Sequence, residues 1–492
     1  RTMEQEKRNI FQKAGDGISK ALNKRNNPGE ITLKEKFFLA FPSMPVSLSN
    51  VLIHNAFLKY YTDMVGMRVE LAGLVYLIFG IWNAINDPLM GIFIDRFRFT
   101  EKRGKFVYIM KMSAPVTVFS ALLMVFAQPG WAEWVTFAWF LGLLFFFDTT
   151  QTAYSIAFTS YRLIAAPTSK ERMDVGVLNT YVAHLGGLLG TLIPTFLLVG
   201  ESNRQLTIVL FTVVVLVNGG LYWLAMKPLK DTAEMYKHEL DTEEGELVQQ
   251  IKENAVDALK SRSFIVYIIF QFIGKGPYSM YFLPFLYMMD YVLKLNGLQA
   301  TLVDVIPGVM LFIAAPFLGK LNKKIGSKRA FQLSAIPTAI GFGLLFFVQN
   351  MWQALFAYII MVVFNSMGGI AHNSMLGAII DEDEMNTGTR KAGLYNGLNA
   401  LLTIPISGLQ TAIFTAIVGY FGFVSGSEVQ SAEAVMGIRI GAGLVAAFFT
   451  MLGIIPISFS TITKEKEDEL SVFSEKRHRA GFEAEPAAEA FE

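Results

Sequence analysis

Cysteine is absent from all 492 residues, which excludes disulfides, thiolate metal ligands and cysteine nucleophiles and leaves every compartment open. Charge is sparse as well. Asp, Glu, Lys and Arg supply 17% of the chain against 53% hydrophobic residues, too little charge for an ordinary soluble protein of this length. A net charge of +1 gives no reason to expect a nucleic-acid partner. The phosphate-cradling glycine-lysine loop of ATP-driven pumps is missing, so the expected driving principle is an ion gradient or facilitated diffusion. The first 36 residues, rich in Lys, Glu, Asn and Gln, lack the apolar core of a cleavable signal, which leaves insertion to the first apolar window.

What the chain has in abundance is apolar runs. A bilayer span takes roughly 20 apolar residues. Twelve windows of that kind recur, at 37–62, 70–94, 106–127, 131–160, 175–199, 206–226, 263–290, 299–320, 330–349, 352–380, 391–422 and 436–460. The expected fold is an all-α membrane protein with twelve transmembrane helices. The polar segment 227–262, with Glu243, Glu244, Glu246, Lys252, Lys260 and Arg262, divides them into six-helix units at 37–226 and 263–460, flanked by an N-terminal segment 1–36 and a tail 461–492. In the first segment Ile10, Phe11, Ala14, Ile18, Ala21 and Leu22 share one helical face, which fits either a surface helix or a solvated tail. The tail after Lys464 reads as disordered.

Alternate loops are basic: Arg96, Arg98, Lys102, Arg103 and Lys105, then Arg162, Lys170 and Arg172, then Lys323, Lys324, Lys328 and Arg329, then Arg390 and Lys391. The intervening loops hold only Arg68, Arg204, Lys294 and similar isolated cations. By the positive-inside rule the basic loops, the 227–262 linker and both termini are cytoplasmic, in a cell (inner) membrane. The halves also echo one another. Asp87-Pro88-Leu89-Met90-Gly91 followed by Arg103-Gly104-Lys105 is matched by Ala315-Pro316-Phe317-Leu318-Gly319 followed by Gly326-Ser327-Lys328-Arg329. Such a repeat is how transporters build a midplane site between two halves.

Polar residues inside the spans mark candidate sites, because an ionisable group at membrane depth is costly unless paired or hydrated. The stretch 82–96 carries Asn83, Asn86 and Asp87 through an apolar helix. Asp87 fits either a cation or proton site or a gate element near the Arg96 loop. Asp148 lies about 17 residues into the fourth window, near mid-depth at a ~1.5 Å rise per residue. Lys275, about a dozen residues into the seventh window and flanked by Gly274, Gly276 and Pro277, points to a broken or kinked helix and needs an anionic partner, either Asp148 or a substrate carboxylate or phosphate. His54, Asn55, His184, His372 and Asn373 are weaker signals; Asp63, Arg68 and Glu70 read as solvated residues at an outer helix end. The run Asp381 to Glu384 beside Arg390 and Lys391 fits either an inner gate or a solvated turn.

Tyr60-Tyr61-Thr62-Asp63 with Trp82-Asn83-Ala84-Ile85-Asn86-Asp87-Pro88, and later Asp381-Glu382-Asp383-Glu384, Thr387-Gly388 and Gly393-Leu394-Tyr395, resemble the glycoside-pentoside-hexuronide:cation symporters. These form the melibiose permease-like family of the major facilitator superfamily. The resemblance implies two six-helix bundles rocking about a central cavity. It also implies a coupling-ion region at Asp87, Asn83 and Asn86 for sodium or a proton, with no other cofactor. It places substrate at Asp148; the depth of Lys275 and the aromatic surfaces of Tyr154 and Trp82 add these to the substrate region, and the charged loop ends give a cytoplasmic gate at Asp95, Arg96, Arg103, Asp381 and Arg390. Three departures stand out: Asn83 where the family has a second acid, no acid near Pro45-Val46-Ser47, and Leu402-Thr403-Ile404 where the eleventh helix often has Lys.

The expected function is secondary transport of a sugar, glycoside or uronide by a monomer in the lipid bilayer, not an enzymatic reaction. A lysolipid or other amphiphile as cargo is the nearest alternative, and a non-transporting sensor or scaffold a further one.

Overall fold

The computed structural model describes residues 31–166, 169–200, 203–233, 259–275, 282–388 and 392–473, apart from a few side chains within helices. Each predicted window holds a helix: α1 (Leu33–Val65), α2 (Val69–Arg96), α3 (Phe106–Val125), α4 (Glu133–Ala165), α5 (Ser169–Leu198), α6 (Arg204–Met226), α8 (Gly297–Ile325), α9 (Ser327–Phe347) and α10 (Met351–Thr387). The helix α7 is described as Arg262–Phe270 with a wider turn Gln271–Lys275, and as Phe282–Tyr287 with a wider turn Met288–Val292; α11 comprises Ala392–Thr403 and Pro405–Tyr420, and α12 spans Ala432–Ser458. Among the described residues ten helices are long and apolar enough to cross a membrane. The remaining two windows differ for local reasons: the middle of α4 is diluted by the polar run from Asp148 to Thr152, and α7 is described in two pieces.

Starts and stops follow side-chain chemistry. Thr32 and Glu35 form a reciprocal capping box at α1, Asn296 and Gln299 one at α8, and Asn203, Asn350, Ser261 and Ser431 cap α6, α10, α7 and α12. The two halves repeat a less common device. Gly104 and Gly326 take φ of +78° and +79° just before α3 and α9. The chain leaving the sixth helix of each half returns a carboxylate to that turn: Asp231 accepts from the backbone N–H of Lys105 and Val107 at 2.9 and 3.0 Å, and Glu467 from that of Ser327 at 3.0 Å. A carboxylate at a helix N-terminus satisfies donors that the helix itself leaves free. Glu467 lies in a helix over 464–473, so the tail is not wholly disordered as expected; its carboxylate also accepts from the hydroxyls of Ser327 and Ser374 at 2.6 and 2.5 Å. The surface-helix candidate in 1–30 lies outside the described residues.

Within the first half α3 packs on α4 and α6, α1 on α5 and α2 on α4; within the second α10 packs on α8 and α9, and α12 on α9. The halves meet along α2–α11, α5–α8 and α1–α7. Close backbone approach at Gly408 sets the first of these seams, where a Cβ would lie 2.4 Å from the Tyr76 carbonyl oxygen.

The apolar core is undivided at one end and split at the other. Toward the face opposite the basic loops, residues of both halves form one core, among them Tyr61, Tyr76, Phe140, Tyr287, Phe414 and Phe423. Toward the basic face there are two separate cores, one around Phe106, Tyr154 and Tyr222 and one around Phe264, Phe331 and Met375. The halves are therefore joined at the opposite face and parted toward the basic face.

Candidate functional site

At 3.6 residues per turn, Trp82, Asn83 and Asn86 fall near one side of α2, and Phe145, Asp148 and Thr152 fall on one stripe of α4. These stripes face each other. The Trp82 ring stacks on Phe145 with centroids 4.6 Å apart. The Asn86 amide donates to an Asp148 carboxylate oxygen at 3.0 Å, and the Thr152 hydroxyl donates to Asp87 at 2.8 Å. Asn86 and Asp148 are buried, Asp87 and Thr152 half-buried. Each carboxylate thus takes a neutral donor from the opposite helix. Two like charges in a poorly solvated space repel, and a cation or a proton between them relieves that repulsion.

This arrangement merges what the sequence separated. Asn86 is committed to Asp148, and Asp87 to the helix that carries Asp148, so the expected ion region and the expected substrate acid form one site. Asn83 is half-buried one turn before Asp87. Tyr154 departs from its expected place. It is fully buried in the core of the first half, its ring edge-on to Tyr222 at 4.9 Å, and offers no platform beside Asp148. The reason is helical phase, since six residues beyond Asp148 turns a side chain about two-thirds of the way round. Gln151 shares that other stripe and joins a structural network: it donates to the Val46 carbonyl at 3.2 Å and accepts from the Tyr222 hydroxyl at 2.6 Å, while Asn218 donates to Ser49 at 2.7 Å.

Lys275 closes the wide turn of α7, and its side chain lies outside the described residues. So do the side chains of Asp95, Asn55 and Asn373 and the whole of Arg390. Of the other expected gate residues, Arg96 is exposed and Asp381 half-buried near the end of α10. Arg103 engages its own half, its guanidinium 4.1 Å from the Phe97 ring centre and donating to the Arg98 carbonyl. His54 rests against Phe79 and His184 against Phe312 at the α5–α8 seam. His372 meets Tyr267, and its Nδ1 accepts from the Gln271 amide at 2.6 Å on the second half's side.

The structure adds a cluster that the sequence reading missed. Lys59, 1% exposed, lies at the joined face and is paired with Asp63 on its own helix and with Asp290 of α7 at 2.6 Å. Its ammonium stands 4.4 Å over the Tyr291 ring and 5.2 Å over Tyr287. Thr62 and Tyr287 share a hydrogen bond of 2.7 Å across the same seam, and Asp290 accepts from Gly200 N–H at 3.1 Å. Asp63 is thus a half-buried ion-pair partner and not the solvated residue expected. Arg68 does face solvent, paired with Glu133 on the surface at 2.6 Å. The available signal was Lys59 itself, a cation inside an apolar window four residues before an acid.

Two six-helix bundles, joined at one face, parted at the other and carrying a carboxylate pair at mid-depth, define an integral multi-pass membrane protein of the major facilitator fold. The crystal structure of D-xylose-proton symporter superposes with a TM-score of 0.66 over 88% of this chain and 99% of that one, at 13% identity, a likeness of fold. The family described as MFS/sugar transport protein matches residues 38–464, and the chain belongs to it. The glucuronide carrier protein homolog of Escherichia coli (strain K12) is 24% identical over 435 residues, 86% of this chain and 91% of that protein. The sodium-dependent lysophosphatidylcholine symporter 1 of Xenopus tropicalis is 23% identical over 192 residues, 37% of this chain and 36% of that protein.

Proposed function

We propose that this protein is a symporter that moves a sugar, glycoside or uronide by alternating access, driven by a proton or a sodium ion at the Asp87–Asp148 site. The observation that carries this reading is the pair of carboxylates held by Asn86 and Thr152 across α2 and α4. A hard monovalent cation is served by several oxygens, and four carboxylate oxygens with a hydroxyl supply them. A shared proton meets the same need. Carboxylates also suit a hydroxyl-rich cargo, because one of them accepts two hydrogen bonds from adjacent hydroxyls. Lys275 enters this reading as the counter-charge for an acidic cargo. Likeness to a glucuronide carrier protein homolog along most of the chain, against a partial likeness to a lysophosphatidylcholine symporter, favours a sugar-type cargo. Membership of a transport family counts against a sensor or scaffold.

With the basic face cytoplasmic, the conformation described is open to the cytoplasm and closed to the outside. In proteoliposomes, gradient-driven accumulation of the sugar, glycoside or uronide that the parent takes up is expected to fall at least about tenfold in Asp87→Asn and Asp148→Asn, the loss of a charged ligand being worth more than about 1.4 kcal/mol. Accumulation by both variants at the parental level would overturn the site. A response to sodium at fixed pH, or to acid pH without sodium, identifies the ion.

A further inference from the structure

We propose that Lys59 is the pin of the outer gate, shared between Asp63 and Asp290 so that the gate opens without stranding a bare cation in the protein. The inference rests on the alternating-access reading above and assigns the machinery of its closed side.

Lys59 and Asp63 are four residues apart on α1 and belong to the first half, so they stay together however the halves move. Asp290, Tyr287 and Tyr291 all come from α7 of the second half and depart with it. In the closed state the ammonium holds both carboxylates and lies over two rings, a joint that draws charge pairing and cation–π contact from the same helix. A buried ammonium that loses its only counter-ion is strongly destabilised. With Asp63 attached, opening never demands that state: Lys59 keeps one carboxylate while Asp290 goes to water. Asp290 therefore stabilises the closed form selectively, whereas Asp63 matters most when Asp290 has left.

This division gives the two acids opposite signs. Asp290→Asn keeps the acceptor for Gly200 N–H but removes the cross-half charge, and the equilibrium moves toward the outward-open form. Asp63→Asn leaves Lys59 dependent on Asp290 alone, and the gate is held shut more firmly. Removing the Thr62–Tyr287 bond by Tyr287→Phe opens the gate in the same sense as Asp290→Asn, by a smaller amount.

The absence of native cysteine makes the test direct. Trp134→Cys and Val429→Cys, 74% and 79% exposed on opposite halves at this face, carry spin labels. Double electron–electron resonance on the purified full chain then reads the separation of the halves with no cargo needed. The long-distance population is expected to rise at least about tenfold in Asp290→Asn, and to stay at or below the parental level in Asp63→Asn. Tyr287→Phe, with its smaller rise, carries the test if Asp290→Asn does not fold. No rise in the variant that folds, or equal rises in the two Asp variants, would overturn the gate. Intact distance changes with no transport of any cargo would instead overturn the proposed function and leave the gate standing.

Discussion

A carboxylate in the middle of a bilayer persists only where something meets its charge, and Asp87 and Asp148 meet theirs in an unusual way, through neutral donors exchanged between two helices. Neither Asn86 nor Thr152 brings a charge, so the pair stays receptive to a cation in a way that an Arg or Lys partner would abolish. Removing one of these donors separates holding from binding. Thr152→Val keeps the shape of the side chain and leaves Asp87 without its hydroxyl donor. A loss of about 1–3 kcal/mol in stability is expected, together with a weakened shift of the thermal midpoint on adding sodium or acid. Thr150→Val, on the same helix but bonded to Thr117, is expected to cost stability while preserving the ion response. Equal ion responses in the two variants, read by thermal unfolding in detergent, would detach Thr152 from the site. At this scale Asp87 and Asp148 were legible because acids are conspicuous in apolar windows. The place of Tyr154 is legible too, from helical phase, which its aromatic character alone does not reveal. Lys59 was hidden for a different reason. A single cation barely alters the mean hydropathy of a 20-residue window, and the cross-half contact beside it joins residues 225 positions apart.

Among the elements, α2 is the one that must satisfy two neighbours at once. Its upper part lies against α11 and its lower part presents Asn86 and Asp87 to α4. The α11 contact is set by backbone on backbone. A methyl group added at Gly408 would lie 2.4 Å from the Tyr76 carbonyl oxygen and 3.2 Å from the Leu77 Cα, and neither can yield unless the helix itself moves. Gly408→Ala is therefore expected to destabilise the fold by about 1–3 kcal/mol and to lower the thermal midpoint. Gly91 on α2 faces open space, and Gly91→Ala is expected to be neutral or to stabilise by up to about 1 kcal/mol. A Gly408→Ala protein that unfolds with the parent would mean that the α2–α11 seam is looser than its geometry. The twelve helices were visible in the sequence because length and apolarity are properties of each segment alone. The wide turns at Tyr60–Val65, Gln271–Lys275, Met288–Val292 and Ile440–Val445 were not, because hydropathy carries no register. Gly274 lies within the wide turn Gln271–Lys275, whereas Gly276 and Pro277 lie outside the described residues.

For the whole molecule the informative feature is the contrast between its ends. A protein that only needed to be stable would gain by extending the shared core of Tyr61, Tyr287 and Phe414 through its full depth, since apolar burial favours that throughout. Instead each half keeps its own core toward the basic face and its own carboxylate brace, Asp231 on α3 and Glu467 on α9. Each half is thereby stable without the other at that end, as rigid-body rocking requires. The proposed direction of opening rests on the basic loops, and three single cysteines test it on intact cells and inverted vesicles with a membrane-impermeant maleimide. Trp134→Cys is expected to react from outside the cell, and Lys102→Cys only in inverted vesicles. Thr415→Cys, 1% exposed in wild-type form as Thr415 and packed against Gly73 at the closed seam, is expected to resist reagent from either side. Combined with Asp290→Asn it should gain reactivity from outside alone, because parting the joined face bares the seam to that side only. Reaction of Thr415→Cys from the inner side, or of Lys102→Cys in intact cells, would reverse the assignment of faces and with it the meaning of the split core.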